Sequence, residues 1–162
     1  MKKWICTMAA ALLLTGCASQ PTMETVADIL TEPEKPAPRA ISVALPGETA
    51  MPAMESEAGR LYVASDYEIW VQTMPGGDLD ATVEAMSGFP KSDLTVITTE
   101  SNGNTRHEFV WATAGEGGDL LGRGVVLDDG NYHYTMTVLR SAETAAKSPV
   151  VWDGVFASFK VV

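Results

Sequence analysis

The chain has 162 residues, of which 46% are hydrophobic and 20% charged, a composition that supports one packed domain with additional segments and excludes a chain that is disordered throughout. It carries 11 basic and 21 acidic side chains, a net charge of −10, so no nucleic-acid partner is expected and cationic or neutral partners are favoured. The two cysteines, Cys6 and Cys17, have no second cysteine or histidine at metal-knuckle spacing, which argues against a zinc ribbon or a disulfide scaffold.

The first 16 residues have the pattern of a secretory signal peptide. A basic start, Met1–Lys3, precedes an apolar run from Trp4 to Leu14. This run is shorter than the roughly 20 residues that a membrane-spanning helix needs. Small residues then precede Cys17. A basic segment, a short apolar segment and small residues before a cleavage site together predict a signal peptide over residues 1–16.

The residues Leu14-Thr15-Gly16-Cys17 resemble the lipobox of bacterial lipoproteins. The resemblance implies that the Cys17 thiol receives a diacylglyceryl group, that cleavage occurs before it, and that the new amino group is a further acylation site. Two acyl chains give stable anchoring, so the lipid bilayer is the expected partner and the location is extracytoplasmic. Because Ala18 is not the aspartate that resembles an inner-membrane retention signal, outer-membrane sorting is expected in a two-membrane cell. The alternatives are an ordinary signal sequence, or a short buried helix in which Cys17 is incidental.

Residues 17–40 have the composition of a tether. Six of the nine prolines fall between Pro21 and Pro52, and no aromatic residue occurs between Trp4 and Tyr62. Proline-rich segments favour extended conformations, and a segment with few large apolar side chains buries too little surface to fold. We therefore predict a lipidated cysteine and Pro-rich tether over residues 17–40, followed by a folded domain over residues 41–162.

The first half of the predicted domain combines strands with one helix. Alternating apolar residues predict three strands, at residues 41–45, 61–64 and 67–74. Pro52 and residues 55–59 indicate a loop. A helix is predicted from the capping residue Asp78 to Ser87, because Gly88 is a favourable residue for its C-terminal end.

The second half is predicted to contain four consecutive antiparallel strands, at residues 94–100, 105–114, 120–127 and 132–140. The dipeptides Asn102-Gly103 and Asp129-Gly130 tolerate the positive φ angles of tight hairpin turns. With Asp129-Gly130 as the two central residues of its turn, residue 128 faces residue 131.

The register of the middle strand pair is predicted from aromatic residues that lie across from glycines. Pairing Phe109 with Gly124 also places Trp111 across from Gly122. Aromatic rings that cover strand glycines stabilise a sheet, so this register is favoured. The same register brings Arg106 and Glu108 of one strand close to Arg123 of the next. We expect a structural ion pair there, because oppositely charged cross-strand neighbours stabilise a sheet.

These registers also align His107, Val126 and His133 on one face of the sheet. The two histidines are then about two strand spacings, or ~9.6 Å, apart. That separation is too large for one zinc ion when Val126 is the residue between them. The favoured interpretation is two cross-strand polar residues on a partly exposed face, and the alternative is a pH-responsive or metal-linked patch.

The C-terminal residues return to a helical period. One short helix is predicted over residues 141–147 and a second from Pro149, followed by a final strand within residues 159–162. Five apolar residues are predicted on the buried side of the second helix: Val151, Trp152, Val155, Phe156 and Phe159. The element order predicts an α+β fold in which helices pack on an antiparallel meander sheet.

The domain resembles the PsbP/Mog1-like proteins. The resemblance rests on the hairpin residues Gly130-Asn131-Tyr132-His133-Tyr134-Thr135, on the terminal helix Trp152–Phe159, and on the helix–meander–helix order between the two ends. It implies an α/β/α sandwich over residues 41–162. Members of this superfamily serve as photosystem subunits, nuclear transport adaptors and bacterial lipoproteins, so the resemblance implies binding or scaffolding more than catalysis and specifies no ligand.

The sequence contains no nucleotide-binding loop and no hydrolase motif, so no catalytic residue and no cofactor are predicted. The weak candidates for a divalent metal are Asp128, Asp129 and His133. The run Asp128-Asp129-Gly130-Asn131 has oxygen ligands that suit Ca²⁺, but the spaced ligands of an EF-hand loop are missing, and a tight turn explains the same residues.

The favoured function is that of a membrane-anchored lipoprotein with a non-enzymatic binding or scaffold module, whose ligand the sequence does not specify. A protein partner in the cell envelope is compatible with this role. The alternatives are an accessory subunit or unrecognised enzyme of an envelope complex, or a divalent-metal-binding lipoprotein. A pocket of converging polar groups with shifted pKa values would favour catalysis, whereas a flat exposed aromatic patch would favour a partner surface.

Overall fold

The computed structural model describes residues 34–47, 51–145, 147 and 149–162. Residues Lys35–Val162 form one compact unit, which begins six residues before the predicted domain start at residue 41. The predicted signal peptide and Cys17 lie outside the described residues. Within the described ranges, no helix has both the length and the apolar character that crossing a membrane requires.

The described ranges contain nine strands and three α-helices. The strands are β1 (Ile41–Ser42), β2 (Met54–Ser56), β3 (Gly59–Val63), β4 (Tyr67–Pro75), β5 (Ile97–Ser101), β6 (Asn104–Gly115), β7 (Gly118–Asp128), β8 (Tyr132–Ser141) and β9 (Lys160–Val161). The helices are α1 (Leu79–Ser87), α2 (Ala142–Ala145) and α3 (Pro149–Ser158). The prediction of an α+β fold built mainly on antiparallel strands is confirmed.

Seven strands form one antiparallel sheet in the order β2-β3-β4-β8-β7-β6-β5, and β1 pairs separately with β9. The strands β5 to β8 are consecutive neighbours, as the predicted meander requires. β4 lies beside β8, and the chain passes from β4 through α1 to β5 at the opposite edge of the sheet. The sheet therefore has β2 and β5 as its two outer strands.

The larger hydrophobic core lies between α3 and one face of the sheet. Trp152, Val155, Phe156 and Phe159 are buried there against apolar residues of β4, β7 and β8. Val151 is 52% exposed, so its predicted place on the buried side is wrong. A residue directly before Trp152 is rotated by about 100° around the helix, which turns it towards solvent.

The opposite face of the sheet is covered by α1. Val83 of this helix packs with Phe109, Trp111 and Val126 of the sheet. The predicted ends of the helix are confirmed, because the Asp78 carboxylate accepts a hydrogen bond of 2.9 Å from the Asp80 N–H and Gly88 adopts a φ of 77°. The fold thus has a helix on each face of its sheet.

The predicted register of β6 and β7 is confirmed. Phe109 lies across from Gly124, and Trp111 lies across from Gly122. A Cβ atom at Gly124 would lie 2.6 Å from the Phe109 ring, and one at Gly122 would overlap the Trp111 ring. The two rings stack with their centroids 5.5 Å apart, so both glycines are needed for the rings to lie flat on the strand.

The predicted register of β7 and β8 is wrong by two residues. Asp128 faces His133 rather than residue 131, and the two-residue loop is Gly130-Asn131. Gly130 has a φ of 86°, as the first central position of a type II′ turn requires. The Asp129 carboxylate accepts hydrogen bonds from the backbone N–H groups of Asn131 (2.9 Å) and Tyr132 (2.8 Å). These bonds favour a turn centred on Gly130-Asn131, one residue later than predicted.

Two further predictions near the start of the domain need correction. The predicted loop at residues 55–59 contains most of β2 and the first residue of β3, which pair as a short hairpin. All three residues of β2 are exposed, so the strand has no alternating apolar pattern by which to detect it. The predicted strand at 41–45 is formed only by Ile41 and Ser42.

Candidate functional site

The three weak metal candidates do not converge on one point. The Asp128 carboxylate lies 3.7 Å from Nε2 of His133. The Asp129 carboxylate instead accepts hydrogen bonds from the Tyr134 hydroxyl (3.0 Å) and the Arg39 guanidinium (3.3 Å). In the described part of the chain, no three His, Cys, Asp or Glu side chains form a group that fits a metal ion.

Both histidines are buried, so the prediction of a partly exposed face is wrong. His133 is fully buried, with Nδ1 2.7 Å from the Thr82 hydroxyl of α1. His107 is 8% exposed and interacts with the Thr98 hydroxyl at 3.0 Å. Burial lowers the pKa of His107, which favours its neutral form.

The face of the sheet beneath α3 carries three arginines on adjacent strands: Arg106 on β6, Arg123 on β7 and Arg140 on β8. Each guanidinium is directed to a helix. Arg106 donates to the carbonyls of Phe156 and Phe159 at the C-terminal end of α3. The last carbonyls of a helix have no partner within the helix, so this arginine stabilises that end of α3.

Arg106 and Arg123 are compensated by carboxylates. Glu108 accepts hydrogen bonds from Arg106 (2.7 Å) and from Arg123 (2.9 Å), which confirms the predicted ion pair. Arg123 also pairs with Asp153 of α3 at 3.0 Å. Burial alone would raise the pKa of Glu108, but the hydrogen bonds from the two arginines outweigh it and lower the pKa. This network ties α3 to the sheet.

Arg140 has a different environment. Its side chain donates to the carbonyls of Thr144 (2.6 Å) and Ala145 (3.5 Å) at the end of α2. Among the described residues no carboxylate lies within ion-pair distance of it, and its buried Nε has no hydrogen-bond partner. The residue is 8% exposed, and burial lowers its pKa. The Asp66 carboxylate acts on it electrostatically and opposes the effect of burial on its pKa, but no ion pair forms among the described residues. Arg140 is therefore a buried cation without a carboxylate in direct contact.

A pocket of about 220 Å³ lies beside Arg140, between α3 and the strands β6 to β8. Its buried apolar lining includes Val138, Trp152 and Phe156, while Val110 and Leu121 are half-exposed at its edge. The aromatic rings are covered by the arginines. Arg140 lies 4.5 Å from the Trp152 ring centroid and Arg123 lies 4.0 Å from that of Phe156. The pocket thus combines an apolar body with cationic walls.

The chemistry that this pocket supports is binding of a negative group. Arginine stays protonated in proteins, so it does not exchange protons with a substrate near neutral pH. Its planar N–H groups instead suit carboxylates and other oxyanions. We take this pocket, which we call the Arg140 pocket, as the candidate functional site.

Sequence reasoning missed Arg140, although a signal was present. Tyr134, Met136 and Val138 alternate along β8 and all face the core beneath α3. Arg140 continues the same alternation and so falls on the buried face. A charged residue at a core-facing position marks either a structural ion pair or a ligand site.

The sequence matches no protein-family model, and it shows no significant similarity to a curated protein.

Proposed function

We propose that the protein is a lipid-anchored, extracytoplasmic binding protein. The observation that carries this proposal is the run Leu14-Thr15-Gly16-Cys17, placed directly after a basic and apolar signal-like segment. Lipid on Cys17 would hold the chain at the bilayer, and the compact unit that begins at Lys35 would be the part that meets a ligand. In a two-membrane cell, the proposed location is the outer membrane.

The segment between the anchor and the compact unit suits a spacer. Residues 18–34 separate Cys17 from Lys35, and in an extended polyproline form such a segment would reach roughly 50 Å at about 3.1 Å per residue. The chain then enters the unit along Arg39, whose N–H donates to the Tyr134 hydroxyl at 3.0 Å. The attachment point lies beside the β7–β8 turn, because the Arg39 side chain contacts Asp129.

Kinship with the PsbP/Mog1-like proteins is the proposed origin of the domain. It is supported by the antiparallel sheet with one helix on each face. It is also supported by the place of the residues that carry the resemblance, since Tyr134 of the hairpin shares one core with Trp152 and Phe156 of the terminal helix and with Phe159 directly after it. The superfamily has binding and scaffold roles, which fits the proposed function.

A binding role is favoured over catalysis by the composition of the Arg140 pocket. Its polar lining consists of Arg123, Arg140 and Asp153. Nucleophilic and general acid–base mechanisms require a group that gains or loses a proton near neutral pH, close to a nucleophile. Two arginines and an exposed aspartate provide electrostatic attraction instead.

The anchor is tested by following the processing of the chain in a bacterial host. We expect Cys17→Ser to accumulate in its unprocessed form, because the thiol that accepts the lipid is missing. Cys6→Ser is the matched control, since it also removes one thiol but leaves the lipobox intact. Globomycin, which blocks the lipoprotein signal peptidase, should accumulate the precursor of the unaltered chain. Normal processing of Cys17→Ser, or insensitivity to globomycin, would contradict the proposal.

A further inference from the structure

Charge compensation is uneven among the three arginines beneath α3. Arg106 and Arg123 share the Glu108 carboxylate, and Arg123 has Asp153 as a second partner. Arg140 is as well buried as Arg106 but has no carboxylate within ion-pair distance in the described part of the chain. Asp66 acts on Arg140 only through space, and burying a cation without a direct ionic partner is unfavourable. An anion that entered beside Arg140 would relieve part of this penalty.

We infer that the Arg140 pocket binds a small amphipathic carboxylate, with the carboxylate on Arg140 and a short aliphatic body against Val138, Trp152 and Phe156. The inference rests on the binding role proposed above and names its ligand class. It does not depend on the lipid anchor.

Arg140 has N–H donors that its hydrogen bonds to α2 do not use. A guanidinium has five N–H groups in a fixed fork. One from each Nη atom is directed to a carbonyl of α2, at Thr144 and Ala145. Each Nη atom keeps one further N–H, and Nε has no partner, so donors remain for the oxygens of a carboxylate. The bonds to α2 fix the orientation of the fork before a ligand arrives, which lowers the entropy cost of binding.

The rest of the pocket selects a ligand with an apolar part. Its volume of about 220 Å³ is below the ~300 Å³ at which sites for drug-sized ligands begin, so a short body fits and a large one does not. Val110 and Leu121 at its edge are 56% and 43% exposed. An aliphatic chain that covered them would remove apolar surface from water, which favours binding.

The surrounding charges favour a single negative charge over a phosphate. Arg140 contributes one positive charge that has no ion pair among the described residues, and Asp153 lines the same pocket. The whole chain carries a net charge of −10, which adds to the repulsion of a dianion. A carboxylate therefore matches the site in both charge and shape.

The test is an NMR titration of the full chain carrying Cys17→Ser, which has no acyl group to compete for the pocket. The probe is hexanoate, with hexanamide as the neutral analogue of equal size and inorganic phosphate as the compact anion. We expect saturable shifts centred on Leu121, Arg140 and Trp152, and at least about tenfold weaker binding of hexanamide, because one charge-assisted hydrogen bond is worth that factor. Equal binding of the amide, tighter binding of phosphate, or shifts centred elsewhere would overturn the inference.

Substitutions then test the two parts of the pocket. Arg140→Gln should weaken hexanoate at least about tenfold, whereas Arg60→Gln, an exposed arginine on β3, should not change it. Because Arg140→Gln removes a buried group and is at risk of unfolding, the second pair uses the half-exposed edge. Leu121→Glu should weaken hexanoate binding more than Leu121→Gln does, because both remove the same apolar edge and only glutamate adds a charge that repels the ligand. Equal affinity of the two Leu121 variants would overturn the inference, while leaving the processing result for Cys17 unaffected.

Discussion

The guanidinium of Arg140 lies 4.5 Å from the ring centroid of Trp152. Tyr67, the partner of Arg140 across β4 and β8, contacts the same indole edge-on, with ring centroids 5.2 Å apart. Trp152 is therefore held by a cation from one strand and an aromatic ring from the next. Both contacts are favourable beyond the area they bury, so this side chain contributes to holding α3 on the sheet, together with the arginine network.

Trp152→Ala should be among the most destabilising substitutions in α3. It removes a buried aromatic side chain and leaves a cavity, so we expect the free energy of unfolding to fall by about 3–5 kcal/mol. The matched control is Val151→Ala in the same helix, where the side chain is 52% exposed and the change should stay within about 0.5 kcal/mol. Urea denaturation measures both. Similar losses for the two variants would show that Trp152 does not anchor the helix.

Gly122→Ala should destabilise the sheet, because the added Cβ would overlap the Trp111 ring. We expect a loss of about 1–3 kcal/mol, as for other over-packed sites. Gly117→Ala is the control, since a Cβ there meets no atom within 4 Å and its φ is not in the left-handed region. Combining Gly122→Ala with Trp111→Leu should recover part of the loss, and strictly additive effects would argue against the contact.

The elements that the sequence predicted well are those with a local chemical signature. The ends of α1 follow from Asp78 and Gly88, and the β6–β7 register follows from aromatic residues that need glycines opposite them. The β7–β8 register was mispredicted, because Asp129 and Gly130 suit either of two turns. The choice between these turns was made by backbone hydrogen bonds to the Asp129 carboxylate, which residue type alone does not reveal.

The candidate site was harder to predict from the sequence, because the role of each arginine depends on which side chains the fold brings next to it. Arg123 and Arg140 lie on adjacent strands, and the residues next to them in the sequence do not indicate which of the two has an ion-pair partner. Only the three-dimensional arrangement gives Arg123 ion pairs with two carboxylates and gives Arg140 no ion pair in the described ranges, where Asp66 acts on it through space. Likewise, His133 is buried because α1 packs over it, and the residue pattern of β8 alone does not indicate where α1 lies.

Glu108 should contribute to stability at neutral pH and lose that contribution in acid. Its pKa is lowered in the folded state, so the stabilisation is present above the ordinary glutamate value of about 4.3 and is lost as the pH falls through the lowered pKa. Glu108→Gln should cost about 1.5–3 kcal/mol at pH 7 and flatten the decline below pH ~4. Glu55→Gln, which affects one exposed ion pair, should cost less than about 1 kcal/mol at pH 7. Urea denaturation at a series of pH values provides the comparison.

His107 should affect folding stability at higher pH than Glu108 does. Because burial lowers its pKa in the folded state, the unfolded chain binds a proton first, and stability falls as the pH drops below about 6.5 towards the lowered pKa. Asp128 opposes this shift and His133 reinforces it. In His107→Gln, the loss of stability between pH 7.5 and pH 5 should be smaller than in the unaltered chain. An unchanged loss would place the responsible proton on another group.

Intact-mass spectrometry of the protein extracted from bacterial membranes tests the proposed anchor most directly. We expect a mature chain that starts at Cys17 and carries the added mass of a diacylglyceryl group, with or without an acyl group on its new amino terminus. Alkaline hydrolysis should remove the ester-linked chains and shift the mass accordingly. A mature chain with an unmodified Cys17, or one that starts at any other residue, would contradict both the proposed anchor and the location.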